Sequence, residues 1–125
     1  MAQGGLIKIP WYATVLRADR FEEALRDIAP IAMRYGALDF EVQRSREDPY
    51  RFSQTATFEH SEDFYAYWEG PEFIDFRTRY TSWFQVPIIY EWWNRSQRGS
   101  LEGHDNGGNG GGVEAPRDPA PTEAA

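Results

Sequence analysis

At 125 residues and a net charge of −7, the chain has room for one domain and a charge balance that argues against nucleic acid as a partner. It contains no cysteine, which excludes disulfides and thiolate chemistry. No signal peptide or apolar run of membrane length is present, so a cytoplasmic protein with no membrane contact is expected. Eight phenylalanines, seven tyrosines and five tryptophans all fall between Trp11 and Trp93. That exceeds what a core of roughly 95 residues requires, so some should line a cavity or a subunit interface. From Gly99 onward the chain is rich in glycine, proline and acid, with no aromatic residue. Such a tail cannot bury enough apolar surface to offset its chain entropy, so we expect a folded domain over 1–98 and a disordered acidic tail over 99–125.

Residues 6–17 read as a strand with Ile7, Ile9, Trp11, Ala13 and Val15 on one face and Leu6, Tyr12, Thr14 and Leu16 on the other. Pro10 cannot donate a ladder hydrogen bond, which predicts a bulge there or regular pairing only from Trp11. Asp19, with Glu22 three residues on, has the spacing of an acidic capping box. Phe21, Leu25, Ile28, Ala32 and Tyr35 form the apolar stripe of the helix that follows, with a kink expected at Pro30 and an end at Gly36. A second strand is expected at 37–44, a hairpin over Ser45–Pro49, and a third strand at 50–58.

The densest aromatic stretch is Phe58–Phe84, broken once by Gly70-Pro71. It reads as two helices, Ser61–Glu69 with Ser61 as cap, and Pro71 to about Trp83. On the second, Phe73, Phe76, Arg77, Tyr80 and Phe84 share one face, aromatic with a single arginine set into it. Val86–Trp93 completes the order as a fourth strand. The fold class is therefore α+β, a ferredoxin-like β-α-β-β-α-β unit with a four-stranded antiparallel sheet and its helices on one face. The opposite sheet face reads as too apolar for water, which predicts a homodimer packed sheet against sheet.

With that order of elements, the chain resembles the antibiotic biosynthesis monooxygenase superfamily over roughly Ile7–Trp92. The resemblance rests on Arg46-Glu47-Asp48-Pro49-Tyr50-Arg51-Phe52, on Phe58-Glu59 with Ser61 and Phe64, and on Gly70-Pro71-Glu72-Phe73 with Phe76. It implies a dimeric α/β-barrel and cofactor-independent monooxygenation of a small planar, quinol- or polyketide-like aromatic. The alternative is a non-catalytic dimeric module that binds a small hydrophobic ligand or a protein partner. Trp11 and Tyr12 stand where family oxygenases often carry asparagine, Tyr67 where a helix histidine is common, and Phe58 where a tryptophan is common.

Arg77, Tyr67 and Glu91 are the candidate catalytic groups, for an anionic or phenolate ligand, a hydrogen bond, and a desolvated carboxylate respectively. Against this, Arg77 would equally stack on rings and pair with Glu69, Asp75 or Glu91, and Glu91 would equally be exposed or salt-bridged. Trp11, Gln54, Phe64, Trp68, Phe73, Tyr80 and Tyr90 are the candidate substrate contacts, with burial in the core or an interface as the competing role. His60 and His104 are far apart and carry no catalytic pattern, and neither a metal site nor a cofactor fingerprint is present in the spacing.

Overall fold

The computed structural model describes residues 2–101. Residues 102–125, which include most of the expected tail and His104, lie outside the described residues. Every helix and strand among the described residues falls in the compact unit Met1–Asn94. The strands are β1 (Gln3–Tyr12), β2 (Asp39–Arg44), β3 (Arg51–His60) and β4 (Glu91–Trp93). They form one antiparallel sheet in the order β2-β3-β1-β4, with α1 (Ala18–Ile28), α2 (Ser61–Trp68) and α3 (Pro71–Arg79) against one face. This is the ferredoxin-like order expected from the sequence.

β1 pairs with β3 in one unbroken register, so neither a bulge nor a delayed start at Pro10 occurs. The reason lies in which way the amide points. Ala13 donates to Tyr50 on the β3 side and Tyr12 accepts from Gln85 on the other, so by alternation Pro10 faces away from β3. Pairing with β4 has already stopped at Lys8, and the missing N–H costs no ladder bond there. β1 also ends earlier than expected. Thr14–Arg17 form a turn closed by Arg17 N–H donating to the Thr14 carbonyl, and Val15 and Leu16 are exposed.

The expected capping box is absent: Arg17 holds the cap position of α1, with no side-chain cap. Asp19 and Glu22 instead accept from Arg44 at 3.0 and 2.8 Å, tying α1 to the end of β2. Arg44 also donates to the Pro49 carbonyl and lies 5.1 Å over Phe52. Asp48 organises the same hairpin, accepting from the Tyr50 amide and the Tyr12 hydroxyl while its own amide donates to Ser45. At Pro30 the chain does not kink as an α-helix. It tightens into a 3-10 segment, Ala29–Tyr35, and ends at Gly36 with φ 106°, the left-handed conformation glycine permits.

The other helix boundaries shift modestly. Ser61 is the first residue of α2 rather than a side-chain cap, and α3 stops at Arg79, so Phe84 reaches the core from a separate bridge with Ala13. β4 is only Glu91–Trp93, and Val86 and Ile89, expected in the same strand, lie outside it and remain exposed. The sheet face away from the helices carries Lys8, Ser53, Thr55, Thr57 and Glu91 beside Leu6, Pro10, Tyr12 and Trp93. It is mixed rather than uniformly apolar, with apolar side chains at Leu6 and Trp93 and again at Pro10 and Tyr12 beside Val86 and Ile89.

Gly70 joins α2 to α3 where there is no room for a side chain: a Cβ would sit 2.6 Å from the Tyr35 hydroxyl and 2.8 Å from the Ala66 carbonyl oxygen. Tyr35 donates from that spot to Glu72 at 2.6 Å. Gly70→Ala should therefore lower stability by roughly 1–3 kcal/mol in thermal unfolding, whereas Gly99→Ala, with open space around it, should change nothing. The Tyr35 hydrogen bond holds Glu72 below its ordinary 4.5, and the Glu72 carboxylate in turn raises Tyr35 above 10.0. A depressed carboxyl stabilises above its unfolded pKa and a raised phenol stabilises below its own, so this pair acts between about pH 4.5 and 10. Tyr35→Phe should lose stability at pH 7 and show a shallower acid-side decline in denaturant midpoint than the wild type.

Candidate functional site

The space between helices and sheet is filled by the side chains that the sequence marked as candidates. Trp11 from β1 lies 5.5 Å from Phe21, 5.7 Å from Phe76 and 5.0 Å from Phe84, all edge-on, and 6.3 Å from Phe73 in a stack. Its indole N–H donates to Gln54 Oε1 at 3.0 Å; Gln54 Nε2 donates to the Tyr67 hydroxyl at 3.0 Å; that hydroxyl donates to the Ile28 carbonyl at 2.6 Å. The relay crosses from β1 through β3 and α2 to the end of α1, and Trp11, Gln54 and Tyr67 are each at most 2% exposed. Burial pushes the Tyr67 phenol far above its ordinary value, so it stays protonated and serves as a fixed donor, not a base.

Arg77 lies elsewhere. Phe73, on the same helix, stands between: its ring is 4.7 Å from that of Tyr67 and 5.2 Å from the Arg77 guanidinium. The guanidinium sits 4.0 Å over the Trp68 ring and donates to the Trp68 carbonyl at 2.9 Å. It stacks as one reading of the sequence expected, but without the carboxylate partner of that reading: Asp75 pairs with Arg79 and Glu91 is remote. Half-burial lowers the Arg77 pKa, opposed by the nearby charge of Glu69. Four of its five donors remain for other acceptors.

Around Arg77 the aromatic side chains step out to the surface. Trp68 is 4.8 Å from Phe73 and 5.2 Å from Tyr90, and Phe64 is 5.0 Å from Tyr90. Trp92 donates to the Tyr65 hydroxyl at 3.2 Å beside them. Tyr90 is raised by burial, then by the charges of Tyr65 and Glu69. Tyr80 belongs to a separate pair with Phe76 and Trp83, at 5.2 and 4.6 Å. Glu91 is exposed on the opposite sheet face, accepting from the Trp93 indole, so its expected desolvation does not occur. The catalytic trio read from the sequence therefore occupies three different places.

Two groups at this surface escaped the sequence reading as site members. Glu69 acts electrostatically on both Arg77 and Tyr90, and its place at the C-terminal end of α2, beside Gly70-Pro71, was the available signal. Tyr65 offers an exposed hydroxyl next to Tyr90 and Trp92. Among the described residues, no cluster of three or more His, Cys, Asp or Glu side chains is placed to hold a metal ion. Likewise, no helix among them is long and apolar enough to cross a membrane.

No protein-family model and no curated protein sequence matches the chain. Solved structures do. A provisionally assigned antibiotic biosynthesis monooxygenase of Nitrosomonas europaea superposes with a TM-score of 0.66 at 19% identity, over 77% of this chain and 94% of that one. The chain has the fold of the antibiotic biosynthesis monooxygenases. PA3566 of Pseudomonas aeruginosa superposes at 0.67 with 15% identity, over 78% of this chain and 98% of that one. SnoaB of Streptomyces nogalater, a cofactor-independent oxygenase, superposes at 0.62 with 14% identity, over 74% and 94% of the two chains. At these identities the likeness carries the monooxygenase fold, and the side chains of this chain must be argued on their own.

Tyr67→Phe would leave Gln54 and the Ile28 carbonyl each short of a buried partner. It should cost roughly 1–3 kcal/mol, a fall in Tm of about 4–8 °C per kcal/mol at this size, with no change at the Arg77 surface as read by Trp68 fluorescence quenching.

Proposed function

We propose that the protein is a cofactor-independent oxygenase acting on a small planar aromatic, with Arg77 holding the substrate as its anion. The observation that carries this reading is the half-buried guanidinium, stacked on Trp68 with no carboxylate within ion-pair distance among the described residues. A phenolate or enolate is a suitable acceptor for such a fork, and Trp68 and Tyr90 give its ring flat surfaces to lie against. Glu69, whose charge acts on both Arg77 and Tyr90, takes the proton in this scheme. The carbanion form passes electrons to dioxygen. One oxygen atom becomes the new ring carbonyl, and the other leaves as water with the two hydrogens lost from that carbon. Tyr67 and Glu91 take no direct part; Tyr67 fixes the wall behind Phe73.

A second reading is favoured by the filled interior. Trp11, Gln54, Tyr67 and Phe73 are packed and their polar atoms satisfied, which is how a core behaves. On that reading the chain is a non-catalytic dimeric module, associating near Leu6 and Trp93 and binding a small apolar ligand or a protein. Oxygen uptake with a panel of hydroxylated tricyclic ketones separates the two. The oxygenase reading expects turnover that Arg77→Ala abolishes with Tm little changed and that Arg77→Lys partly restores. No uptake across the panel, with Arg77→Ala costing stability instead, supports the module.

A further inference from the structure

Where the start of α2 meets the ends of β1 and β4, a cavity of about 290 Å³ opens at the surface. It is lined by Gln3, Gly4, Ser61, Tyr65, Trp92 and Asn94, and by no charged residue. It lies on the helix side of the sheet, because Trp92 pairs with Ile7 and packs with it against the core. Its polar groups have capacity to spare. The Trp92 indole N–H donates to the Tyr65 hydroxyl at 3.2 Å, which leaves the Tyr65 hydrogen to donate outward. Among the described residues, the side chains of Gln3, Ser61 and Asn94 make no hydrogen bond. The amides of Glu62 and Ala2 are already taken by the Glu62 carboxylate, which they hold below its ordinary value. What is left in the cavity is neutral and serves both as donor and as acceptor.

The cavity and the Arg77 surface share one helix face. Ser61, Tyr65, Trp68 and Glu69 follow the spacing i, i+4, i+7, i+8 along α2 and its cap, so Ser61 and Trp68 stand about 10 Å apart along the axis. Tyr90 borders both ends, its ring 6.4 Å from that of Tyr65 and 5.2 Å from that of Trp68. Arg77 stacks on the far side of this row, 4.0 Å over Trp68.

We propose that the cavity is the outer end of the Arg77 site and takes a neutral carboxamide, carried by the planar aromatic on the edge remote from its anionic oxygen. This rests on the reading of Arg77 given above and adds Tyr65 to it as a specificity-determining residue. The carboxamide carbonyl accepts from the Tyr65 hydroxyl, and its N–H groups donate to the side-chain carbonyls of Gln3 and Asn94. The ring system between lies along Trp68 and Tyr90, a length that two fused rings substituted at their far ends can span.

The test titrates 6-hydroxy-2-naphthamide and, as its counterpart without the amide, 2-naphthol into the full chain by calorimetry. Wild type should bind the amide about tenfold more tightly than 2-naphthol. Tyr65→Phe should remove most of that advantage without weakening 2-naphthol, and Asn94→Ala should remove part of it. Arg77→Ala should weaken both compounds alike. Equal affinity of wild type for the two compounds overturns the proposal, and leaves the Arg77 reading standing where Arg77→Ala still weakens both. An amide advantage that survives in Tyr65→Phe and in Asn94→Ala places the carboxamide elsewhere and likewise overturns it. Binding of neither compound, or binding that ignores Arg77→Ala, sinks the Arg77 reading, and the inference falls with it.

Discussion

Trp11 is the side chain through which the layers of this protein meet. It rises from the central strand into the rings of Phe21, Phe73, Phe76 and Phe84, so α1, α3 and the Phe84 bridge all pack on one indole. Its N–H is the one part that apolar packing cannot satisfy, and Gln54 accepts it. Gln54 then has two amide hydrogens to place, and Tyr67 accepts from it and passes a hydroxyl hydrogen to the carbonyl of Ile28. A tryptophan in the core thus requires a polar residue on β3, which requires a tyrosine on α2, which requires a free carbonyl where α1 gives way to the 3-10 segment. Each group is satisfied only by the next, so the arrangement is specific as well as stable.

Charge is divided between structural and unassigned uses. Arg44 binds helix to hairpin through Asp19, Glu22 and the Pro49 carbonyl, and Asp48 closes the hairpin from within. Those groups are engaged in holding the fold together. Arg77, Lys8 and Arg51 differ: they sit at partly open surfaces with donors in excess of their acceptors. The donors with spare capacity thus lie at the margins of the core rather than inside it.

The fold was legible because its signals are local and repeated. Phe21, Leu25, Ile28 and Ala32 mark a buried face by spacing alone, and Gly36 and Gly70-Pro71 mark stops that no other residues would serve as well. What could not be read was decided by partners distant in sequence. Pro10 sits in a central strand without penalty only because β4 stops at the Lys8 rung, which nothing near residue 10 announces. Asp19 and Glu22 have the spacing of a capping box, yet Arg44, more than twenty residues on, takes both carboxylates. Glu91 lies among large aromatics in sequence, but strand alternation puts it on the open face. For the site, residue type was informative and grouping was not: Tyr67 and Arg77 are both there, with Phe73 standing between them.

Pro10 has a bearing on how copies of this chain meet in crowded solution. β4 covers β1 along Leu6, Ile7 and Lys8, and residues 83–85 cover the same edge again at Tyr12 and Thr14, so the stretch left open to a passing extended peptide is the gap at Pro10. The first outward-facing position past that cover is the one residue that has no N–H to give. An invading strand would find its ladder broken at the outset, so the shortness of β4 does not turn the sheet into a template for fibre growth.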